Sequence, residues 1–200
     1  MACSACLAFA EAPLPLISPL LLKFDLHASY QAHGISYETG LAVLSSLMGI
    51  GGVVGGAVVG IWGGLRSRRT YGVIVPLMIS GAGMAVYGLS SHLPLTAVMG
   101  FAVVASSAVA NAHVLSIWQR RTPPELQGRV FSLQRMVSQL GQPLSMLLAG
   151  MAAAAVDPGK VMAALGLLLL AFAVAQLRNR DLHQADPVLE RNQVQRPTTW

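Results

Sequence analysis

Charge is what this sequence has least of. Asp, Glu, Lys and Arg make up 10% of its 200 residues, where soluble domains carry about a quarter. So little charge cannot cover the surface of a water-soluble fold. The net charge is +5 and the pI near 9.8, yet there is no Lys/Arg-rich arm and no interleaving of aromatic with basic residues. A nucleic-acid partner is therefore not expected. Cysteine is nearly absent as well. Cys3 and Cys6 form one C-x-x-C near the N-terminus, with no second Cys/His pair to complete a metal site, and they read as small apolar residues at the start of a span. There is no basic n-region, and Glu11, Pro13, Pro15 and Pro19 interrupt the first apolar run, so a cleavable signal peptide is not expected. No H-E-x-x-H helix, no G-x-x-x-x-G-K-S loop and no nucleophile with a paired base is present. An enzyme, a metal and a cofactor are accordingly not expected.

What remains is apolar. Hydrophobic residues make up 54% of the chain and the mean hydropathy is +0.59. The solvent implied is a lipid bilayer, where a spanning helix takes about 20 apolar residues. The runs predict an all-α membrane protein with six transmembrane helices over about 2–22, 39–63, 71–89, 96–117, 130–156 and 161–177. Residues 1–177 form one bundle in this reading, and 178–200 a polar cytoplasmic tail whose composition predicts disorder. Turn signals separate the spans, with Asp157-Pro158-Gly159 the strongest.

The arginines fall at alternate ends of these spans. Arg66, Arg68 and Arg69 follow the second, Arg120, Arg121 and Arg129 lie between the fourth and fifth, and Arg178 and Arg180 follow the sixth. The opposite ends carry Lys23 and Lys160. Basic residues in short loops stay on the cytoplasmic side, which places both termini there. Thr122-Pro123-Pro124-Glu125 fits a capping box, with Thr122 as N-cap and Pro123 in the first helical position.

Polar residues inside spans are the candidate site. Glu11 lies mid-span, where a carboxylate is expensive and is a functional hypothesis by default. It could carry a coupling proton or bind a cationic substrate. Ser107 and Asn111 share a helical face in span four, with Ser107 read as interhelical glue. Ser138, Gln142 and Ser145 recur at helical spacing in span five, with Gln139 alongside and Pro143 loosening the helix. Such a stripe faces protein or water, not lipid. It reads equally as a cavity lining or as hydrogen-bond glue. Gly51, Gly52, Gly55, Gly56 and Gly60 give overlapping G-x-x-x-G pairs that suit close helix packing. Span six is apolar all round and reads as lipid-facing scaffold. His27, His33 and Glu38 share an outer loop, and their spacing fits no compact ligand pattern.

Two stretches carry a resemblance. Gln119, Pro123 or Pro124, Glu125, Gly128-Arg129-Val130, Ser132, Pro143-Leu144 and Gly150 resemble the loop and helix between the tenth and eleventh spans of major facilitator superfamily transporters. The drug-exporting, macrolide-efflux-like branch is the most similar. Upstream, Gly60-Ile61-Trp62-Gly63-Gly64-Leu65-Arg66-Ser67-Arg68-Arg69 is similar to the family's Gly- and Arg-rich loop after the second or eighth span. Gly64 stands where the family carries an acidic residue. The resemblance covers the chain to about Leu177 and matches the C-terminal six of the family's twelve spans, which come in two parallel halves. It implies proton-coupled efflux of small lipophilic compounds by alternating access from a bacterial cytoplasmic membrane. It also implies a partner, either a missing N-terminal six-span half or a second copy. The alternative is a non-transporting membrane fragment or module that needs a separate partner half.

The arginine asymmetry is directly testable. Reporter fusions in the 23–38 segment and in the 66–69 segment are expected to report opposite sides of the membrane, with the second inside. Both on one side would refute the assignment.

Overall fold

The computed structural model describes residues 2–62 and 69–177, all helices and their connections. Eight α-helices follow one another: α1 (Ala2–Glu11), α2 (Leu14–Phe24), α3 (His27–Ala32), α4 (Tyr37–Trp62), α5 (Arg69–Leu89), α6 (Leu93–Arg121), α7 (Gln127–Ala155) and α8 (Pro158–Leu177). A 3-10 turn, Pro124–Leu126, precedes α7. Five segments among the described residues are long and apolar enough to cross a membrane: Cys3–Phe24, Tyr37–Ile61, Tyr71–Leu89, Leu93–Gln119 and Pro158–Leu177. α7 is as long as α6 but falls short in apolarity, because Gln127, Arg129, Gln134, Arg135, Gln139 and Gln142 all lie on it. Arg66, Arg68, Arg178, Arg180 and the 178–200 tail lie outside the described residues.

Prolines decide several boundaries. The first span is not one helix but two. Pro13 has no N–H to give the Phe9 carbonyl, and α1 ends at Glu11. α2 then restarts on the Pro13 carbonyl, which accepts from the Leu16 and Ile17 N–H groups at 3.0 and 2.8 Å. The capping box at Thr122 does not form. Each residue before a proline is pushed out of the helical region, so Thr122 has ψ 126° and Pro123 ψ 144°. Thr122 therefore closes α6, its N–H bonded to the Trp118 carbonyl at 3.1 Å. α7 begins at Gln127, whose side-chain amide reaches back to the Gln119 and Thr122 carbonyls at 3.2 and 3.3 Å. α7 runs unbroken through Pro143. The 23–38 stretch is not an open loop. It holds α3, whose Ser29 Oγ accepts the Leu93 N–H at the start of α6, 2.9 Å away.

Three helix pairs form the body of the bundle: α4 with α6, α5 with α6, and α5 with α8. α1 lies mainly on α7, and α2 touches α4, α7 and α8. The core contains Ile17, Leu21 and Leu22 of α2, Leu44 of α4, Leu77, Met84 and Tyr87 of α5, Val103 of α6, and Met162 and Leu169 of α8, all buried. Outward-facing Val53, Ile61, Leu140 and Leu168 are more than two-thirds exposed. A surface so rich in apolar side chains suits lipid.

Small residues set the helix spacing. A Cβ placed on Gly51 or Gly55 of α4 would lie 2.5 Å from the Phe101 carbonyl oxygen or 2.3 Å from that of Ala105 in α6. Gly56 and Gly60 have nothing within 4 Å. One G-x-x-x-G pair therefore does the packing on α4, not the whole run. α8 departs from the expectation of a scaffold turned to lipid on all sides. Gly159, Met162, Ala163, Gly166, Leu169 and Ala173 are buried, and Gly166 sits against Gly81 and Ala85 of α5. Uniform apolarity hid this contact, since a membrane interface is marked by small size and not by polarity.

A Cβ on Gly166 would lie 2.6 Å from the Ala85 nitrogen and 2.7 Å from the Gly81 oxygen. Both are backbone atoms and cannot turn aside. Gly166→Ala is expected to lower stability by about 1–3 kcal/mol, the usual range for overpacking. Gly56→Ala, with open space around it, should be neutral or slightly stabilising. Thermal melts of both variants in one detergent provide the check.

Candidate functional site

The first span breaks beside its one carboxylate. Glu11 is the last residue of α1, near the middle of the Cys3–Phe24 segment. Its Oε1 accepts a hydrogen bond from Ser80 Oγ of α5 at 2.8 Å. The same oxygen accepts a second one from Ser107 Oγ of α6. The two hydroxyl oxygens lie 3.5 Å from each other. Ser80 is fully buried and Ser107 4% exposed. Each hydroxyl has one hydrogen, and both are directed to a single carboxylate oxygen. Three helices therefore meet at Glu11. Among the described residues its partners are these two serines, with no Lys, Arg or His paired to it.

The same break is closed on its other side. The Phe9 carbonyl, left without a helical donor by Pro13, accepts from Ser145 Oγ of α7 at 2.5 Å. Ser145 is 1% exposed. Within hydrocarbon a freed carbonyl has no water to turn to, and side-chain hydroxyls are a usual remedy. Farther along, Ser18 Oγ donates to the Leu14 carbonyl at 2.6 Å. Its single hydrogen being used, Ser18 accepts from the Tyr87 hydroxyl at 2.7 Å, which ties α2 to α5.

The other sequence candidates separate. Ser107 turns to Glu11, an interhelical hydrogen bond that ties α6 to α1. Asn111, one turn on, is exposed. Gln139 is exposed and Gln142 half-buried on α7, while Ser145 of that stripe is buried against α1. No hydrogen bond among the described residues joins Asn111, Gln139 or Gln142 to the Glu11 group. Glu125, Gly128 and Arg129 are exposed in the α6–α7 connection. Pro143 is exposed, and Gly60 lies near the end of α4 with open space around it. Sequence reasoning missed Ser80. It directly follows the apolar run Val73–Ile79, where a lone serine hydroxyl usually bonds to its own helix backbone and so announces no partner on another helix. His27 and His33 sit on or beside α3. His33 Nδ1 lies 2.7 Å from the Ser29 carbonyl oxygen, and His27 meets the Tyr30 ring edge-on at 5.3 Å.

The family model of the Major Facilitator Superfamily matches residues 1–199. The chain belongs to this superfamily. No curated protein and no solved structure matches the chain. Superfamily members are membrane transporters and not enzymes, so the apolar helices are those of an integral membrane transport protein. A carboxylate held between helices, with no cation paired to it among the described residues, is costly when ionised and is neutralised by a proton.

A second carboxylate lies just past the membrane-spanning part of α2. Burial pushes Asp25 above the usual aspartate range, and the negative charge of Asp157 adds to the shift. The Gly159 N–H and Lys160 draw it partway back. Lys160 is itself paired to Asp157 at 2.5 Å. A carboxyl that protonates more readily in the folded state adds stability in acid, and that stability is lost as pH rises through its folded-state value. Asp25→Asn is therefore expected to melt above the wild type at neutral pH, with the gap closing in acid. A gap that is constant, or that widens in acid, would refute this; melting curves across pH decide it.

Proposed function

We propose that the chain is the C-terminal six-span half of a proton-coupled exporter of small, lipophilic compounds, with α7 as the sixth spanning helix. The carrying observation is Glu11, half-buried among α1, α5 and α6 with two serine hydroxyls as its partners and, among the described residues, no opposing charge paired to it. A carboxylate in such a place is expensive when ionised and is relieved by a proton. That gives it a reason to cycle between two charge states as its surroundings change. In the alternating-access scheme two bundles rock about a midplane site and open it to each side in turn. Glu11 is the proton carrier in this reading, and Asn111, Gln139 and Gln142 line the path of the substrate.

The exposed amides support the need for a second bundle. Asn111 and Gln139 present polar groups on helices whose neighbouring surface is apolar. Turned to lipid, an amide without partners is penalised. Turned to a second six-span bundle, or to water between two bundles, it is satisfied. The partner is thus a matching N-terminal half or a second copy. The membrane is the bacterial cytoplasmic one, with both termini and the Arg66–Arg69 and Arg120–Arg129 loops inside. The efflux direction and the lipophilic substrate class rest on the resemblance of Gly128-Arg129-Val130 and its surroundings to the drug-exporting branch.

Glu11→Gln in the complete transporter is the test. It keeps the shape and the hydrogen-bond partners but removes the charge and the titration. Dye efflux driven by an imposed proton gradient in vesicles is expected to fall to background, with the amount of inserted protein unchanged. Efflux that keeps its rate and its pH dependence would show that Glu11 is structural.

A further inference from the structure

We propose that Ser80 and Ser107 are positioning residues that clasp the half-helix α1 to α5 and α6 while Glu11 is ionised, and that a proton on Glu11 slackens the clasp and frees α1 to turn about Ala12–Pro13. The inference rests on the reading of Glu11 as the proton carrier. It adds what the proton does to the fold.

The geometry gives α1 a separate footing. It is joined to α2 through Ala12 and Pro13, and neither Pro13 nor Pro15 has an N–H to continue the helical ladder across the joint. The last bond of α1 is the Ala12 N–H to the Ala8 carbonyl at 3.1 Å. α1 is ten residues long, too short to be stable alone, so its position depends on what holds it from outside. Its C-terminal end has two polar attachments: the Glu11 carboxylate on Ser80 and Ser107, and the Phe9 carbonyl on Ser145. The second contains no titratable group. The first does.

Hydrogen bonds to an ionised acceptor are roughly twice as strong as neutral ones. When Glu11 gains a proton, Oε1 becomes part of a neutral acid and a weaker acceptor, whichever oxygen carries the hydrogen. Both serine bonds weaken together, since both end on that one oxygen. Among the described residues no salt bridge to Glu11 is formed that could compensate. On α5 the Tyr87 hydroxyl is engaged by Ser18. On α6 the His113 Nδ1 lies 2.9 Å from the Val109 carbonyl oxygen, beyond the Ser107 turn. Arg129 and Arg135 on α7 lie well before Ser145 in the chain, and Lys160 on α8 is paired to Asp157. The only step is a proton moving from water to the carboxylate and back.

Hydrogen–deuterium exchange of the full chain in lipid nanodiscs reads the clasp directly. After correction for the chemical exchange rate, the amides of Ala2–Glu11 are expected to exchange about fivefold or more faster in acid than in alkali, a step of the size that weakening two charge-assisted bonds gives. Glu11→Gln and the double variant Ser80→Ala/Ser107→Ala should exchange fast at both pH values. Ser107→Thr, which keeps the hydroxyl, should retain the step. Unchanged exchange in α5 and α8 checks that each variant is folded. A wild type with no pH step, or a double serine variant that keeps it, overturns the clasp. Loss of efflux in Glu11→Gln without any pH step in α1 overturns the clasp and leaves the proton carrier standing. A step with efflux intact in Glu11→Gln does the reverse.

Discussion

In hydrocarbon a polar group has no water to fall back on, and this constraint organises the structure around the break in the first span. Pro13 removes one donor, and that removal would orphan the Phe9 carbonyl. Ser145 of α7 answers it at 2.5 Å. Glu11, two residues before the proline, is answered by Ser80 and Ser107. The proline thus accounts for what α7 presents to α1, and the carboxylate for what α5 and α6 present. The same reasoning explains Ser18 and Tyr87, where one hydroxyl satisfies the Leu14 carbonyl and still accepts from a second helix.

Around this polar centre the helices are held by small size. Gly51 and Gly55 bring α4 onto α6, and Gly81, Gly88, Gly159 and Gly166 bring α5 onto α8. In lipid, apolar side chains gain little by meeting each other, because lipid tails are as apolar as they are. Close backbone approach is what distinguishes a protein neighbour from a lipid one. α5 uses it on one side, packs on α6 on the other, and carries Ser80 between.

Much of the fold was legible in the sequence because long apolar runs between breakers leave few alternatives. α4, α5, α6 and α8 lie close to where those runs put them. The split first span was less legible. Pro13, Pro15 and Pro19 announced trouble there, but nothing in the sequence says which of them breaks the helix. Pro19, Pro76 and Pro143 are each carried inside a helix. The capping box misled because Pro124 constrains Pro123, a local effect that outweighs the favourable Thr122–Glu125 spacing. At the site, Glu11 stood out from its cost in lipid, and Ser145 from its place in a polar stripe. Ser80 did not, since a lone serine in a membrane helix usually bonds to its own backbone. That it faces Glu11 is a fact of how α1 and α5 pack, and no spacing within α5 encodes it.

The backbone contact between α5 and α8 has a mechanical consequence. Where long side chains separate two helices, those chains act as bearings, bending and swapping rotamers as one helix slides along the other. At Gly81, Gly88, Gly159 and Gly166 there are no such bearings. Main chain rests on main chain, and sliding would require the two rods to lift apart first. The pair therefore behaves as a single plank, stiff against shear, and any joint in this bundle has to be found elsewhere.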